Sequence, residues 1–417
     1  MVVARHDLAS STDSWSHAIE RAVDDCYPYL VELRRHLHRH PEPSGHEQQT
    51  TAHLAALVRE LGYEPRFGPE ERGLIVDARS ESSTPRIGLR ADIDALRIED
   101  AKKTDYRSQV TGVMHACGHD AHPAIVLGAM RGLETASSEG ALPWPVPWRA
   151  IFQPAEETNR GAREMIASGA LDGVGAILAT HLDPSRPVGE IGLRVGALTA
   201  LCDEVKMTII GRGGHAARPH ESLDPIATAA QLISSLYLFV PRGVDSQDPV
   251  VLTFGQIVAG DNANVIPETV ELRGTLRTLS ERVRQRTKEH IERLAAGLAE
   301  AASTKIRVEY PEGMGSVVND PEITELVHRA AADLVGEGRV VAIERPSMGG
   351  EDFAAYLDTV PGTMFRLGCV SETAGGAPLH SPLFDLDEAA IGVGAKLMAR
   401  AAVLCANPAR QTVRGAG

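Results

Sequence analysis

The spacing of apolar and polar positions changes along the chain and predicts an α/β fold. Residues 15–62 are expected to be helical, because apolar side chains recur at helical spacing from Ile19 to Leu37 and again from Leu54 to Leu61. Short apolar strands separated by helical stretches follow, as in an open, mostly parallel-core sheet with helices on both faces. The predicted strands are Gly73–Asp77, Arg86–Asp92, Trp148–Gln153, Ala176–Thr180 and Thr363–Gly368.

The middle of the chain predicts an inserted ferredoxin-like α+β domain. Its elements follow the order β-α-β-β-α-β, and Ser280 is the expected cap of the second helix. The predicted domains are residues 1–196 as the first part of the α/β domain, 197–311 as the insertion, and 312–417 as the second part of the α/β domain. The helix from Pro225 to Phe239 carries more apolar surface than one small sheet needs, which favours a homodimer through the insertion.

Side chains that bind metals concentrate in one stretch, Met114 to His122, which holds three histidines, one cysteine and one aspartate. Cys117 and His119 are two positions apart and therefore do not share a helix face. Gly118 between them permits unusual backbone angles. The stretch predicts a tight loop that brings a thiolate and an imidazole together, followed by a helix that starts at Asp120.

Further acidic and imidazole side chains follow the predicted strands. Open α/β sheets bind ligands beyond the carboxyl ends of their strands, so these side chains are expected to share one site. They are Asp92, Glu156, Glu157, His181 and His380. A second group, His36, His38 and His40, lies beside arginines at a helix end and is expected to be a solvated or dipole-stabilising cluster rather than a metal site.

These residues suit a dinuclear hydrolase, which uses about five protein ligands and leaves a position open for water. The candidate ligands are Cys117, His119, one of the adjacent pair Glu156 and Glu157, His181 and His380. The other glutamate would take a proton from water and return it to the leaving amine. Asp92 would orient an imidazole. A thiolate ligand favours zinc on softness, with manganese, nickel and cobalt as alternatives.

Seven motifs along the chain are similar to those of one enzyme family. They are Leu89–Leu96, His115–Asp120, Phe152–Glu157, Gly211–Ala217, Asn264–Pro267, Gly349–Phe353 and Leu379–Pro382. In this order they resemble the aminoacylase and carboxypeptidase family of co-catalytic metallopeptidases. The similarity is greatest to the amidohydrolase branch, which holds hippurate hydrolase, N-acyl-amino-acid amidohydrolases and plant auxin-conjugate hydrolases.

The resemblance implies a role for each matching residue, and two divalent ions per chain. The matching metal ligands are Cys117, His119, Glu157, His181 and His380, and Glu156 matches the general base. His215 and Asn264 match residues that hold the scissile carbonyl oxygen, with His215 often reaching the partner subunit's site. Arg277 matches the position that binds the substrate carboxylate. The family pairs two inserted domains into a dimer.

At two positions the residue differs from the one found in other branches or in most of the family. Arg90 stands where other branches carry a histidine ligand, as is usual in the amidohydrolase branch, where the cysteine motif supplies a ligand instead. Arg97 stands where the family usually has a proline close to the site, which bears on loop shape and substrate preference.

Composition narrows the class of protein. Asp plus Glu number 56 and Lys plus Arg 42, and the net charge of −14 argues against a nucleic-acid surface. No apolar run approaches the length of a membrane span, and the residues from Met1 to Asp7 lack the apolar core of a signal peptide. The five cysteines are scattered and odd in number, so a cytoplasmic protein is expected.

We therefore predict a metal-dependent amidohydrolase that cleaves N-acyl amino acids as small-molecule substrates. A dipeptidase or carboxypeptidase on the same scaffold is the main alternative. A metal-binding or regulatory protein without catalysis is a third hypothesis, against which the intact Glu156 and Glu157 argue. A fourth is a thiol enzyme with Cys117 as nucleophile and His119 as base. The additional acidic and imidazole groups fit metal binding better.

Overall fold

The computed structural model describes residues 12–79, 84–311 and 313–410. The stretch Met1–Asp7, used above for localisation, lies outside these ranges. The chain divides into two compact units, described here separately: the first unit is Met1–Gly196, Val318–Glu344 and Asp352–Gly417, and the second unit is Ala197–Val317 and Arg345–Glu351. As bounds of folding domains, 1–196, 197–311 and 312–417 remain a prediction.

Helices and strands alternate along the described residues. The helices are α1 (Thr12–Arg39), α2 (Gln48–Glu60), α3 (Ala121–Ser138), α4 (Gly161–Ala167), α5 (Pro225–Phe239), α6 (Glu281–Ala301), α7 (Pro321–Val335), α8 (Ala354–Leu357) and α9 (Ala389–Cys405). Within the part of the chain that is described, none of them has the length and apolar character needed to cross a membrane.

The strands range from two residues to the fourteen of β5. They are β1 (Arg66–Phe67), β2 (Leu74–Asp77), β3 (Arg86–Asp92), β4 (Trp148–Gln153), β5 (Val174–Pro187), β6 (Ile191–Leu193), β7 (Gly196–Ala197), β8 (Leu201–Ile210), β9 (Gly214–His215), β10 (Val250–Ala259), β11 (Val265–Ile266), β12 (Thr269–Thr278), β13 (Lys305–Glu309), β14 (Gly313–Met314), β15 (Val318–Asn319), β16 (Val340–Ala342) and β17 (Gly362–Val370).

The first unit is built around an eight-stranded sheet in the order β1-β2-β4-β3-β5-β17-β6-β16. The central neighbours β4, β3, β5 and β17 pair in parallel, whereas β1 and β2 are antiparallel at one edge. Strands β3 and β4 are almost wholly buried, as is typical of parallel strands covered by helices on both faces. The predicted α/β fold with a parallel core is confirmed.

The second unit has the predicted ferredoxin-like fold. Its main sheet has the order β10-β12-β8-β13, each pair antiparallel, and β14 also pairs with β8. Alternate residues of β8, such as Val205 and Met207, are buried with Leu232 of α5 and Ile291 of α6. Ser280 caps α6 as predicted, since its hydroxyl accepts the Val283 N–H at 3.3 Å.

Candidate metal centre

A loop before α3 carries the first two predicted ligands. Gly118 between Cys117 and His119 has φ +86°, in the left-handed region that favours glycine. A Cβ there would lie 2.6 Å from Leu182 Cδ1, so a side chain would also collide with β5. The predicted tight loop is therefore present, and its left-handed backbone conformation favours glycine at position 118.

Five predicted ligands come together in the first unit. Cys117 Sγ lies 3.4 Å from His181 Nε2, and His380 Nε2 lies 3.4 Å from Glu157 Oε1. The donor atoms of Cys117, His119 and His181 lie within 4.8 Å of one another, as do those of Cys117, Glu157 and His380. Cys117 belongs to both triads, so the five candidate ligands form one continuous group.

Hydrogen bonds turn the imidazoles toward this group. His119 Nδ1 lies 3.1 Å from the Asp94 carbonyl oxygen and 3.2 Å from Asp94 Oδ1, so Nδ1 carries the proton and Nε2 is left without a hydrogen-bond partner. His181 Nδ1 donates to the Leu182 carbonyl oxygen at 2.8 Å. Glu157 Oε1 is also buried without a hydrogen bond. These orphaned atoms, with a sulfur and a carboxylate beside them, fit a divalent metal ion.

The electrostatics of the centre fit a cation and oppose a thiol mechanism. Burial raises the pKa of the Cys117 thiol to about 12, so a thiolate does not form at neutral pH without a bound cation. Burial alone would lower the pKa of His119, but the Asp92 carboxylate and the Cys117 sulfur outweigh it and the pKa is raised. Burial lowers the pKa of His181, which keeps that imidazole neutral and available as a ligand.

The adjacent glutamates take different positions after β4. Donor atoms of both Glu156 and Glu157 lie within 4.8 Å of a His119 nitrogen, but among the described residues it is Glu157 that also joins Cys117 and His380. The Glu157 N–H donates to Asp94 Oδ2 at 3.0 Å, and Glu156 is 7% exposed. Glu157 is therefore placed like a metal ligand, and Glu156 lies beside the ligand group.

Asp92 holds an imidazole, but a different one from the predicted ligands. Its Oδ1 lies 2.5 Å from His122 Nδ1, and the Leu182 N–H donates to His122 Nε2 at 3.3 Å. Asp92 Oδ2 accepts from Arg90 Nη1 at 2.5 Å. His122 thus links the end of β3 to β5 next to His181. The sequence interpretation gave His122 no role, although it lies three positions after His119 in the same histidine-rich stretch.

Asp94 is the second residue that the interpretation missed. Besides contacting His119 and Glu157, its Oδ2 accepts from Ser44 Oγ at 2.6 Å. Burial by itself would raise the pKa of Asp94, but the hydrogen bond and charge of His119, with the hydrogen bonds from Ser44 and the Glu157 N–H, together outweigh it and the pKa is lowered. The sequence spacing could have indicated a role for Asp94. Asp92 and Asp94 are two positions apart, and residues at that spacing in an extended chain lie on the same side.

Arg90 occupies the position where other branches have a histidine. Its guanidinium is buried and donates to Asp92, to Gln153 Oε1 at 2.9 Å and to Asp352 Oδ1 at 3.0 Å. All of these partners belong to the first unit. Arg90 thereby fixes the ends of β3 and β4 around the centre. Arg97, the other noted position, is exposed.

Behind the metal loop lies a buried network that was not predicted. Asp120 occupies the N-cap position of α3 but does not cap it. Instead Asp120 Oδ2 accepts from Arg34 Nε at 2.8 Å and lies 2.7 Å from His38 Nδ1, and His38 Nε2 lies 3.2 Å from Asp100. The solvated alternative is wrong for His38, which is fully buried and lies between these two carboxylates.

The remaining predicted site residues lie in the second unit. His215 of β9 pairs with Val265 of β11, and the Ala216 N–H donates to the Asn264 carbonyl oxygen at 3.0 Å, so His215 and Asn264 are brought together. His215 is exposed, and its Nδ1 accepts the N–H of the residue two positions later at 3.1 Å. Arg277 lies on β12 and donates from Nη1 to the Met348 carbonyl oxygen at 2.9 Å.

Comparisons with known proteins agree with this geometry. The sequence pattern of peptidase family M20/M25/M40 matches residues 88–403. An N-acetyl-L-cysteine deacetylase of Bacillus subtilis is 40% identical over 363 residues, which are 87% of this chain and 84% of the relative. Thermostable carboxypeptidase 1 of Saccharolobus solfataricus is 34% identical over 396 residues, 93% of this chain and 97% of the relative.

A solved structure is also similar. It is a dinuclear metal-binding peptidase of family M20 from Bacillus subtilis, 35% identical in sequence, with a TM-score of 0.76. The superposition covers 92% of this chain and 99% of that chain.

Proposed function

The chain belongs to peptidase family M20/M25/M40 and is a hydrolase that acts on amides, and from this premise we propose that it removes the acyl group from an N-acyl amino acid. The observation that carries the proposal is the placement of the paired glutamates: Glu157 joins Cys117 and His380, whereas Glu156 lies beside His119. A proton-transfer group next to a metal-ligand set is what amide hydrolysis requires.

The proposed cofactor is a pair of divalent ions per chain. The proposed ligands are Cys117, His119, Glu157, His181 and His380. The similar peptidase of known structure, described as dinuclear, supports the count. Such ions supply Lewis acidity, which acidifies water and polarises an amide carbonyl. The buried thiol favours zinc on softness, with manganese, nickel and cobalt as alternatives.

The proposed mechanism assigns two proton transfers to Glu156. Its carboxylate takes a proton from water as the water oxygen bonds to the amide carbon, and it delivers that proton to the leaving nitrogen as the C–N bond breaks. The products are a carboxylate and an amine, and the Glu156 carboxylate is regenerated in each cycle. Asp92, acting through His122, and Asp94, acting through His119, hold the surrounding imidazoles.

The second unit is proposed to bind the substrate. His215 and Asn264, which lie together, would hold the scissile carbonyl oxygen, and Arg277 would bind the substrate carboxylate with its guanidinium. We also propose a homodimer through residues 197–311, in which His215 serves the partner's site.

A dipeptidase or carboxypeptidase activity is the second candidate. The relative described as a carboxypeptidase, 34% identical to this chain, favours it. Both activities break an amide bond next to a free α-carboxylate, so the choice depends on whether the group that is released is an acyl or an aminoacyl group.

A hydrolysis screen with metal-defined enzyme tests the proposal. The protein is stripped by a chelator, reloaded separately with zinc, manganese, nickel or cobalt, and assayed on N-acetyl and N-benzoyl amino acids and on dipeptides. We expect the highest kcat/KM on N-acyl amino acids, no activity in the stripped protein, and recovery on reloading. Glu156→Gln should keep its metal and lose about 10²–10⁴-fold in kcat.

Each other outcome has a defined meaning. Faster turnover of dipeptides would replace the proposal by the second candidate. Activity that survives the chelator but is lost on thiol alkylation would favour the thiol enzyme, and a Glu156→Gln variant with wild-type kcat would remove that residue from the mechanism.

A further inference from the structure

One segment far from the metal loop in sequence, Glu42–Glu47, lies against the ends of β3 and β4. The Ala95 N–H donates to the Glu42 carbonyl oxygen at 2.8 Å, and Ser44 Oγ donates to Asp94 Oδ2 at 2.6 Å. At the end of this segment Glu47 is fully buried just before α2. The segment therefore contacts Asp94, which holds His119, and none of its own residues is among the proposed metal ligands.

The buried carboxyl of Glu47 reaches the turn that carries the paired glutamates. Its Oε1 accepts the N–H groups of Gly45 and Ala155, both at 2.8 Å. Its Oε2 has no hydrogen-bond partner, and the nearest cation, Arg72, lies 3.6 Å away at Nη1, too far for a hydrogen bond. The contact to Ala155 spans 108 positions of sequence, so it ties two distant parts of the first unit together.

Ala155 has a backbone conformation that needs such support. Its φ is +52°, in the left-handed region where a residue with a Cβ is strained. Its carbonyl oxygen accepts the Gly161 N–H at 3.2 Å, which closes the turn on one side, and its own N–H is held by Glu47. Because Ala155 directly precedes Glu156, its conformation sets the direction of the Glu156 side chain.

We propose that Glu47 is a positioning residue, which holds the left-handed Ala155 through Oε1 and so aims Glu156 at the substrate. The inference rests on the proposed role of Glu156. An apolar side chain at position 47 would fill the same buried space but leave the Ala155 N–H without an acceptor. A misplacement of about 1 Å at a proton-transfer group can cost about 10²-fold in rate.

The proposal requires that residue 47 has an acceptor oxygen on a side chain long enough to reach the Ala155 N–H. It does not require that this side chain carries a negative charge. Burial and the nearby Asp94 carboxylate raise the pKa of Glu47 to about 7, so the carboxyl group is partly neutral near neutral pH and still accepts both N–H groups. Glutamine has the same reach and is neutral. Aspartate keeps the charge but is one methylene shorter and does not reach Ala155.

Three variants of the full-length, metal-loaded chain separate reach from charge. We expect Glu47→Gln to keep a kcat close to wild type, and Glu47→Asp and Glu47→Ala to lose about 10²-fold in kcat with little change in KM. Hydrogen exchange at the Ala155 amide, measured residue by residue in the same metal-loaded protein, should accelerate in Glu47→Asp and Glu47→Ala and stay slow in Glu47→Gln. The exchange readout needs no substrate.

Leu54→Ala provides the matched control, because Leu54 is buried on α2 and contacts the core rather than Ala155. It should lower Tm and leave kcat unchanged at a temperature where the protein is folded. The proposal is overturned if Glu47→Asp keeps both slow exchange and wild-type kcat, or if Glu47→Gln is as impaired as Glu47→Asp. If wild type turns over no amide, the proposed function fails, while the exchange readout still decides whether Glu47 holds Ala155.

Discussion

Three imidazoles at the candidate metal centre are each held at Nδ1 by an oxygen of the first unit. Asp94 holds His119, the Leu182 carbonyl oxygen holds His181, and Asp92 holds His122. In each case Nε2 faces the other side of the ring, where it can bind a metal or accept a backbone N–H. The oxygens thus decide both the tautomer and the aim of the ligands.

The substitution Asp94→Ala tests whether the Asp94 carboxylate orients His119, one of the proposed ligands. His119 would keep its bond to the backbone carbonyl at position 94 but lose the carboxylate, and Glu157 would lose the acceptor for its N–H. We expect metal affinity to fall about 10–100-fold, measured by competition with a chromogenic chelator. Asp77→Ala is the control, since Asp77 lies on β2 and binds Arg149 rather than the centre. Equal affinities in both variants would show that the carboxylate does not support the ligands.

At the scale of elements, local sequence patterns predicted the type and order of helices and strands better than their bounds and their contacts. The helices, the parallel core and the ferredoxin-like order follow from periodicity, which acts over a few neighbouring residues. The predicted strand Ala176–Thr180 is too short, because pairing with β17 extends β5 past His181 to Pro187. Such pairing depends on residues nearly two hundred positions away, which no local pattern contains.

The same limit applies to the histidines of α1. Spacing in the sequence places His36, His38 and His40 together, but their environments differ because their partners come from elsewhere. His38 is enclosed by Asp100 and Asp120, whereas the ring of His36 stacks on His53 of α2 with 3.9 Å between ring centroids. Cys117 and His119 could be predicted as ligands from the sequence because they are close neighbours. Asp94 and Glu47 could not be recognised in this way, because their contacts are with distant segments.

The stacked pair predicts how α1 and α2 respond to acid. Burial, followed by the nearby His53, lowers the pKa of His36 to about 4, below the value near 6.5 of an unfolded histidine. Between these values the unfolded chain binds a proton that the folded chain rejects, so stability present above pH 6.5 is lost as the pH falls toward 4. We expect His36→Phe, which keeps a ring on His53, to lose less Tm than wild type between pH 7 and 4.5.

Differential scanning fluorimetry at several pH values makes that measurement. His17→Phe is the matched substitution at an exposed position of the same helix. Equal acid sensitivity of His36→Phe and wild type would show that the stacked imidazoles do not couple folding to pH.

At the scale of the whole molecule, the second unit has an apolar surface that its own sheet does not cover. In α5 the residues Ala229, Leu232 and Leu236 are buried against the sheet, as that small sheet requires. Four large apolar residues of the helix remain exposed: Ile226, Tyr237, Leu238 and Phe239. Strand β10 is an edge of the same sheet and exposes Val251, Ile257 and Val258. An unpaired edge beside exposed apolar residues is a suitable surface for a second copy of the chain.

A mixing experiment tests the dimer and the role of His215 together. A donor at a developing oxyanion is worth about 10²–10³ in rate, so His215→Ala should be nearly inactive while it still binds metal. Glu156→Gln should be inactive for a different reason, the loss of proton transfer. If His215 serves the partner's site, a heterodimer of the two variants contains one site with an intact Glu156 and an intact His215, and one site with neither.

Mixing should therefore restore up to about half of the wild-type activity per heterodimer, because one of two symmetric sites is whole. Native mass spectrometry of the two variants, one isotopically labelled, provides the control by showing that subunits exchange. If His215 acted within its own chain, each site of the heterodimer would lack one of the two residues and the mixture would stay inactive. Exchange without recovered activity would thus exclude the shared site, and a monomeric mass would exclude the dimer.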